Sequence, residues 1–145
     1  MRVVLDTNIL ARPSFSTSGP AAELLERLRS PEHELIASEF ILTELDRVLR
    51  YPRLLRLHGF DDVTLARYVA DVKALSVLVE VSAAEITPIS QNDPDDDSVV
   101  ATALAGNAEV LCTLDKHLHD SDVVAFCRQH GIRVLTDVEL LRELR

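Results

Sequence analysis

Arg2-Val3-Val4-Leu5-Asp6-Thr7-Asn8 sets the reading of the whole chain. Arg2 to Leu5 is a short, valine-rich apolar run of the kind that forms a buried strand. The polar triplet Asp6-Thr7-Asn8 ends it and leaves a carboxylate at the strand's carboxyl end. Residues 12–19 hold Pro, Ser, Thr and Gly and predict a loop. From Pro20 to Leu28 the apolar residues Ala21, Leu24, Leu25 and Leu28 recur at helical spacing. Glu34 to Ala37 is a second short strand. Ser38 is a good N-cap for the helix that follows, which carries Phe40, Ile41, Leu45, Val48 and Leu49 on one face and which Pro52 ends or kinks.

The alternation continues to the end of the chain. Asp61 to Leu78 predicts a long helix, with strand character entering at 77–81, and 86–92 is irregular. Asp95 to Asp97 stand at the start of a helix through Ala105, where they complement its dipole, and Gly106 or Asn107 can close it. Strands are predicted at 109–113 and 132–135, with a helix at 122–129 between them. Thr136-Asp137-Val138-Glu139 is a capping box opening a final helix to Leu144. Short strands alternating with helices imply a mostly parallel sheet covered on both faces. The expectation is a single α/β domain over residues 1–145, a three-layer α/β/α sandwich.

Composition narrows the function classes. An apolar fraction of 47% is ordinary for a globular protein, and no run is long enough to span a membrane. Strand pattern begins at Arg2 with no signal-peptide core before it, so the expected location is cytoplasmic. Cys112 and Cys127 lack metal-type spacing and read as buried thiols. The formal net charge of -9 argues against a broad nucleic-acid surface, because phosphate contacts need Lys and Arg. One basic row remains at Arg47, Arg50, Arg53 and Arg56. It is either a solvated helix edge or a phosphate track beside an acidic site.

Four acids far apart in sequence fall where an α/β fold turns them toward one edge. Asp6 and Asp115 end strands, Glu44 borders the apolar stripe of its helix, and Asp97 begins a helix. Ligand sites in such sheets form beyond the carboxyl ends of the strands. Gathering carboxylates is costly: two ionised groups ~5 Å apart repel by roughly 3 kcal/mol at an effective dielectric near 20. A hard cation such as Mg²⁺ or Mn²⁺, which takes oxygen ligands and keeps positions for water and phosphate, offsets that cost. Two-ion or one-ion hydrolysis of a phosphodiester needs no histidine. Thr7, Asn8 and Thr113 can orient ligands from behind. Within the acidic run Asp97 is preferred, because it directly precedes Ser98-Val99-Val100-Ala101; Asp96 is the alternative.

Leu5-Asp6-Thr7-Asn8, Thr43-Glu44-Leu45, Asp93-Pro94-Asp95-Asp96-Asp97 and Thr113-Leu114-Asp115-Lys116, in this order and followed by the strand at 132–135, resemble a PIN domain over nearly the whole chain. The acidic run is most similar to the branch formed by toxins of toxin–antitoxin pairs. The resemblance implies a Rossmann-like parallel sheet and a Mg²⁺- or Mn²⁺-dependent endoribonuclease acting on single-stranded RNA. It implies Asp6, Glu44, Asp97 and Asp115 as metal-binding carboxylates, an antitoxin protein as partner, and a homodimer. The chain departs from the family where Leu114 replaces a frequent Gly. The competing expectation is the same fold kept as a scaffold that binds RNA or an antitoxin without cleavage.

Overall fold

The structure, a computed structural model, describes residues 1–82, 86, 88–89 and 94–144. Among these, β1 (Arg2–Leu5), β2 (Glu34–Ser38), β3 (Ser76–Val79), β4 (Val110–Cys112) and β5 (Arg133–Leu135) form one sheet in the order β3-β2-β1-β4-β5. Every pairing is parallel. Val3, Val4 and Leu5 of the central strand are each 0% exposed. Successive strand side chains point to opposite faces, so both faces of β1 are covered. Besides α2 (Pro20–Arg27), the helices include α3 (Glu39–Leu49) against β2, α5 (Asp62–Leu75) against β3, α6 (Pro94–Ala105) across β1, β2 and β4, and α7 (Ser121–Gln129) against β5. The architecture is an α/β/α sandwich. No helix among the described residues is long and apolar enough to cross a membrane.

The register brings the ends of β1 and β4 together. Leu5 pairs with Cys112, so residues 6 and 113 leave the sheet as neighbours. The ladder runs one step further on each side: Asp6 N donates to Cys112 O and Thr113 N to Leu135 O, both at 2.9 Å.

Several element boundaries differ from the sequence expectation, each for a local reason. The chain does not simply turn after Asp6; it enters α1 (Thr7–Ala11), capped by Asp6, whose Oδ1 accepts from Thr7 N at 2.8 Å. At Pro52 the expected helix end holds and the kink does not: α3 ends at Leu49, and Pro52 begins α4 (Pro52–His58), where a missing N–H costs nothing. The helix expected to reach residue 78 stops at Leu75, and β3 pairs with β2 from Ser76 onward. The capping box forms as expected ahead of α8 (Asp137–Leu144): Thr136 N donates to Glu139 Oε1 at 3.0 Å and Glu139 N to Thr136 Oγ1 at 3.2 Å. The irregular stretch expected over 86–92 lies mostly outside the described residues, as does Asp93.

α6 ends in a Schellman turn. Asn107 takes the left-handed conformation (φ 50°). Ala108 N donates to Ala103 O at 2.9 Å and Asn107 N to Leu104 O at 3.2 Å. Gly106 lies against β2 so closely that a Cβ there would stand 2.4 Å from Ile36 Cγ2. Its carbonyl is gripped by Arg2, whose Nε and Nη2 donate at 2.9 and 2.6 Å. These contacts fix the axial position of α6, and so the position of its acidic first turn.

Candidate active site

At the carboxyl edge of β1 and β4 a cleft of about 150 Å³ is lined by Asp6, Thr7, Asn8, Glu44, Val48, Asp95, Asp96, Val99 and Asp115. The lining comes from α1 and its cap, α3, the first two turns of α6 and the turn after β4. Ser38 ties two of these elements. Its Oγ accepts from Ile41 N at 3.4 Å as the N-cap of α3, and it shares a hydrogen bond with Thr102 Oγ1 of α6 at 2.8 Å. Glu44 on α3 and the acids of α6 are thereby held across from one another.

Thr113 ties the other two. Fully buried, it donates through Oγ1 to Asp6 Oδ2 at 2.7 Å, and the same oxygen accepts from Asp115 N at 2.9 Å. Asn8 Oδ1 accepts from Leu114 N at 3.4 Å. Leu114 is partly buried against the core, and Asp115 lines the cleft with this leucine in the place of a glycine.

The acidic run at the start of α6, where the sequence favours Asp97 with Asp96 as the alternative, divides between the cleft and its flank. Asp95 and Asp96 line the cleft, and Asp97 does not. Asp97 Oδ1 accepts from Ile89 N at 3.0 Å, off the cleft wall. One residue along a helix is a rotation of about 100°, which is enough to move a side chain from one wall to another.

Asp6, Glu44, Asp96 and Asp115 share one cleft. Among the described residues no three His, Cys, Asp or Glu side chains stand close enough to close around an ion as they are. Protein donors hold two of them in place. Asp6 accepts from Thr7 N and Thr113 Oγ1, and Asp115 Oδ1 accepts from His117 N at 2.9 Å. Arg47 Nη2 stands 3.9 Å from Glu44 Oε2 and 3.8 Å from Asp95 Oδ2, a positive charge between two negative ones. The donor set consists of oxygens alone, which matches Mg²⁺ or Mn²⁺ and not a softer metal. Thr7 Oγ1 on the cleft wall is buried with no hydrogen-bond partner among the described residues. In kind these residues fit a small hard cation, with side-chain movement needed to close on it.

The basic row divides. Arg47 sits at the cleft rim. Arg50 bonds Asp46 at 3.2 Å and Asp62 at 3.3 Å, and the hydrogen bond to Asp46 leads the effects that hold its guanidinium above the usual range. Arg53 and Arg56 lie on α4, none of whose residues is buried, and neither has an ion-pair partner among the described residues. Cys112 and Cys127 are free and buried. Burial pushes both thiols up, Cys127 to about 11; at Cys112 the charges of Asp137, Asp6 and Glu139 add to it. One residue near the site escaped the sequence reading. His119, whose Nε2 lies 2.8 Å from Thr113 O, occupies a polar turn with no periodic signal.

A family model described as PIN domain matches residues 2–117. Among solved structures, the crystal structure of VapBC2 from Rickettsia felis bound to a DNA fragment from their promoter is similar, with a TM-score of 0.61 and 17% identity over 94% of this chain and 98% of the matched chain. The structure of VapBC-1 from nontypeable Haemophilus influenzae is similar at a TM-score of 0.60 and 18% identity, over 95% of this chain and 99% of that one. No curated protein matches the chain. At such identities the likeness to the solved structures is one of fold.

Proposed function

The chain belongs to the PIN domain family, and from that premise we propose that it is a metal-dependent endoribonuclease. Its substrate is single-stranded RNA, and it acts in the cytoplasm as the toxin of a toxin–antitoxin pair. The observation that carries this reading is that Asp6, Glu44, Asp96 and Asp115 line one cleft beyond the ends of β1 and β4. These four carboxylates would hold Mg²⁺ or Mn²⁺, with Asp96 in preference to Asp97. Such an ion would supply activation of the attacking water and offset charge on the phosphate.

The chain's own residues do the rest. Asp6 is fixed by Thr7 N and Thr113 Oγ1, so its carboxylate is presented in one orientation. Asn8 steadies the 113–115 turn through Leu114 N. Arg47, beside Glu44 and Asp95, lowers the repulsion among these acids and lies where an RNA phosphate approaches. Arg53 and Arg56 continue the track along α4; Arg50 serves it less, because Asp46 and Asp62 already neutralise it. With a net charge of -9, RNA contact is confined to this strip.

Likeness to two VapBC structures supports an antitoxin as the partner. Tyr51, Leu55 and Leu57, exposed at 44%, 38% and 52% around α4, offer apolar surface to an antitoxin or to a second copy in a homodimer. Single-stranded RNA incubated with the protein is expected to be cut with Mg²⁺ or Mn²⁺, and not with EDTA or by Asp6→Asn. Absence of cleavage with either ion would favour a non-catalytic scaffold.

A further inference from the structure

The loop from Thr113 to His119 carries Asp115 and begins at the residue that ties Asp6. Every polar group of Thr113 is used. Its N–H donates to Leu135 O at 2.9 Å. Its Oγ1 joins Asp6 and Asp115. Its carbonyl meets His119 Nε2 at 2.8 Å. A carbonyl only accepts, so the ring carries its proton on Nε2 and donates. The loop thus closes on its own start. Leu118, fully buried, pins the far side, and Leu118 N donates to Asp115 O at 3.2 Å.

We propose that His119 is a positioning residue for the carboxylate pair Asp6 and Asp115. By holding the carbonyl of Thr113, it fixes the peptide plane that follows and the direction of the Thr113 side chain. That side chain sets both the orientation of Asp6 and the distance of the Asp115 backbone from it. His119 touches neither the RNA nor the ion; it acts through Thr113. The inference rests on the metal-dependent reading of the cleft and adds to it the residue that shapes the cleft from behind. Supporting contacts of this kind behind metal ligands are worth roughly 10–100-fold in affinity or activity.

The test compares wild type, His119→Ala and His119→Gln, all as full chains, because a glutamine Nε2 can reach the same carbonyl. Two quantities are read: the affinity for Mn²⁺ alone, and hydrogen exchange of the Asp115 amide, which needs no metal. Expected for His119→Ala are Mn²⁺ binding weaker by roughly 10–100-fold and faster exchange at Asp115, with His119→Gln restoring both. Unchanged Mn²⁺ affinity in His119→Ala overturns the inference. So does equal loss in both variants together with a lowered melting temperature, which is the mark of a merely structural contact. If wild type binds no Mn²⁺, the nuclease reading falls first. The exchange data then still decide the clamp, since unaltered Asp115 protection in His119→Ala refutes it.

Discussion

Thr113 Oγ1 donates to Asp6 Oδ2 at 2.7 Å across 107 residues of sequence. This bond links the ends of two adjacent strands and orients a carboxylate that has already spent its other oxygen on the cap of α1. Thr113→Val keeps the shape and the branching and removes the donor. The expected result is a roughly 10–100-fold loss in Mn²⁺ affinity and in RNA cleavage, with a folded protein by circular dichroism. Cleavage at the wild-type rate would show that Asp6 needs no such support.

Asp96 and Asp97 are equally buried, at 5% and 6% exposed, but they face different surroundings. Asp96→Asn is expected to reduce cleavage on the order of 100-fold or more, because a ligand's charge is lost. Asp97→Ala is expected to retain Mn²⁺ binding and instead lose roughly 1–3 kcal/mol of stability, since Ile89 N is left without its carboxylate. Denaturant melts and Mn²⁺ titrations on both variants separate the roles. The opposite pattern would return Asp97 to the site.

Gly106 is required by the closeness of α6 to β2. Gly106→Ala sets a methyl 2.4 Å from Ile36 Cγ2 and is expected to cost about 1–3 kcal/mol. Ile36→Ala removes the opposing atom and costs stability of its own. The double variant should therefore be more stable than the sum of the two changes predicts, by about 0.5–3 kcal/mol. Strict additivity in urea melts would mean that the helix moves away freely.

Glu139 gives a pH signature. The hydrogen bond from the backbone of Thr136 leads the effects that hold its carboxyl below the usual range, followed by the Thr136 hydroxyl and, more weakly, His119 and Arg142. The folded state therefore favours the charged form. Its contribution is complete above the unfolded carboxylate range and is lost as pH falls through the lower folded value. The melting-temperature gap between wild type and Glu139→Ala should be present at neutral pH and shrink in acid. A gap that is constant over that range would contradict this assignment.

Much of this arrangement is legible in the sequence because its signals are local. Val3-Val4-Leu5 followed by Asp6 announces a buried strand with an acid at its end, and Ser38 and the 136–139 box mark helix starts by their own chemistry. What the sequence hides is phase. Whether Asp96 or Asp97 faces the cleft depends on where α6 starts and how Gly106 seats it on Ile36, and both are settled by packing. The arginine row looked continuous, but Pro52 opens a new helix, so Arg47 and Arg53 lie on different elements. His119 matters only because its turn folds back on Thr113, and no spacing rule reports that closure.

Placement of β4 between β1 and β5 has a consequence for synthesis. A nascent chain displays Asp6 early, but lacks Thr113, Asp115 and the strand that seats them until most of the polypeptide has left the ribosome. The acidic cleft is closed by the longest-range pairing in the sheet, β1 with β4, so a partly made chain carries an incomplete site.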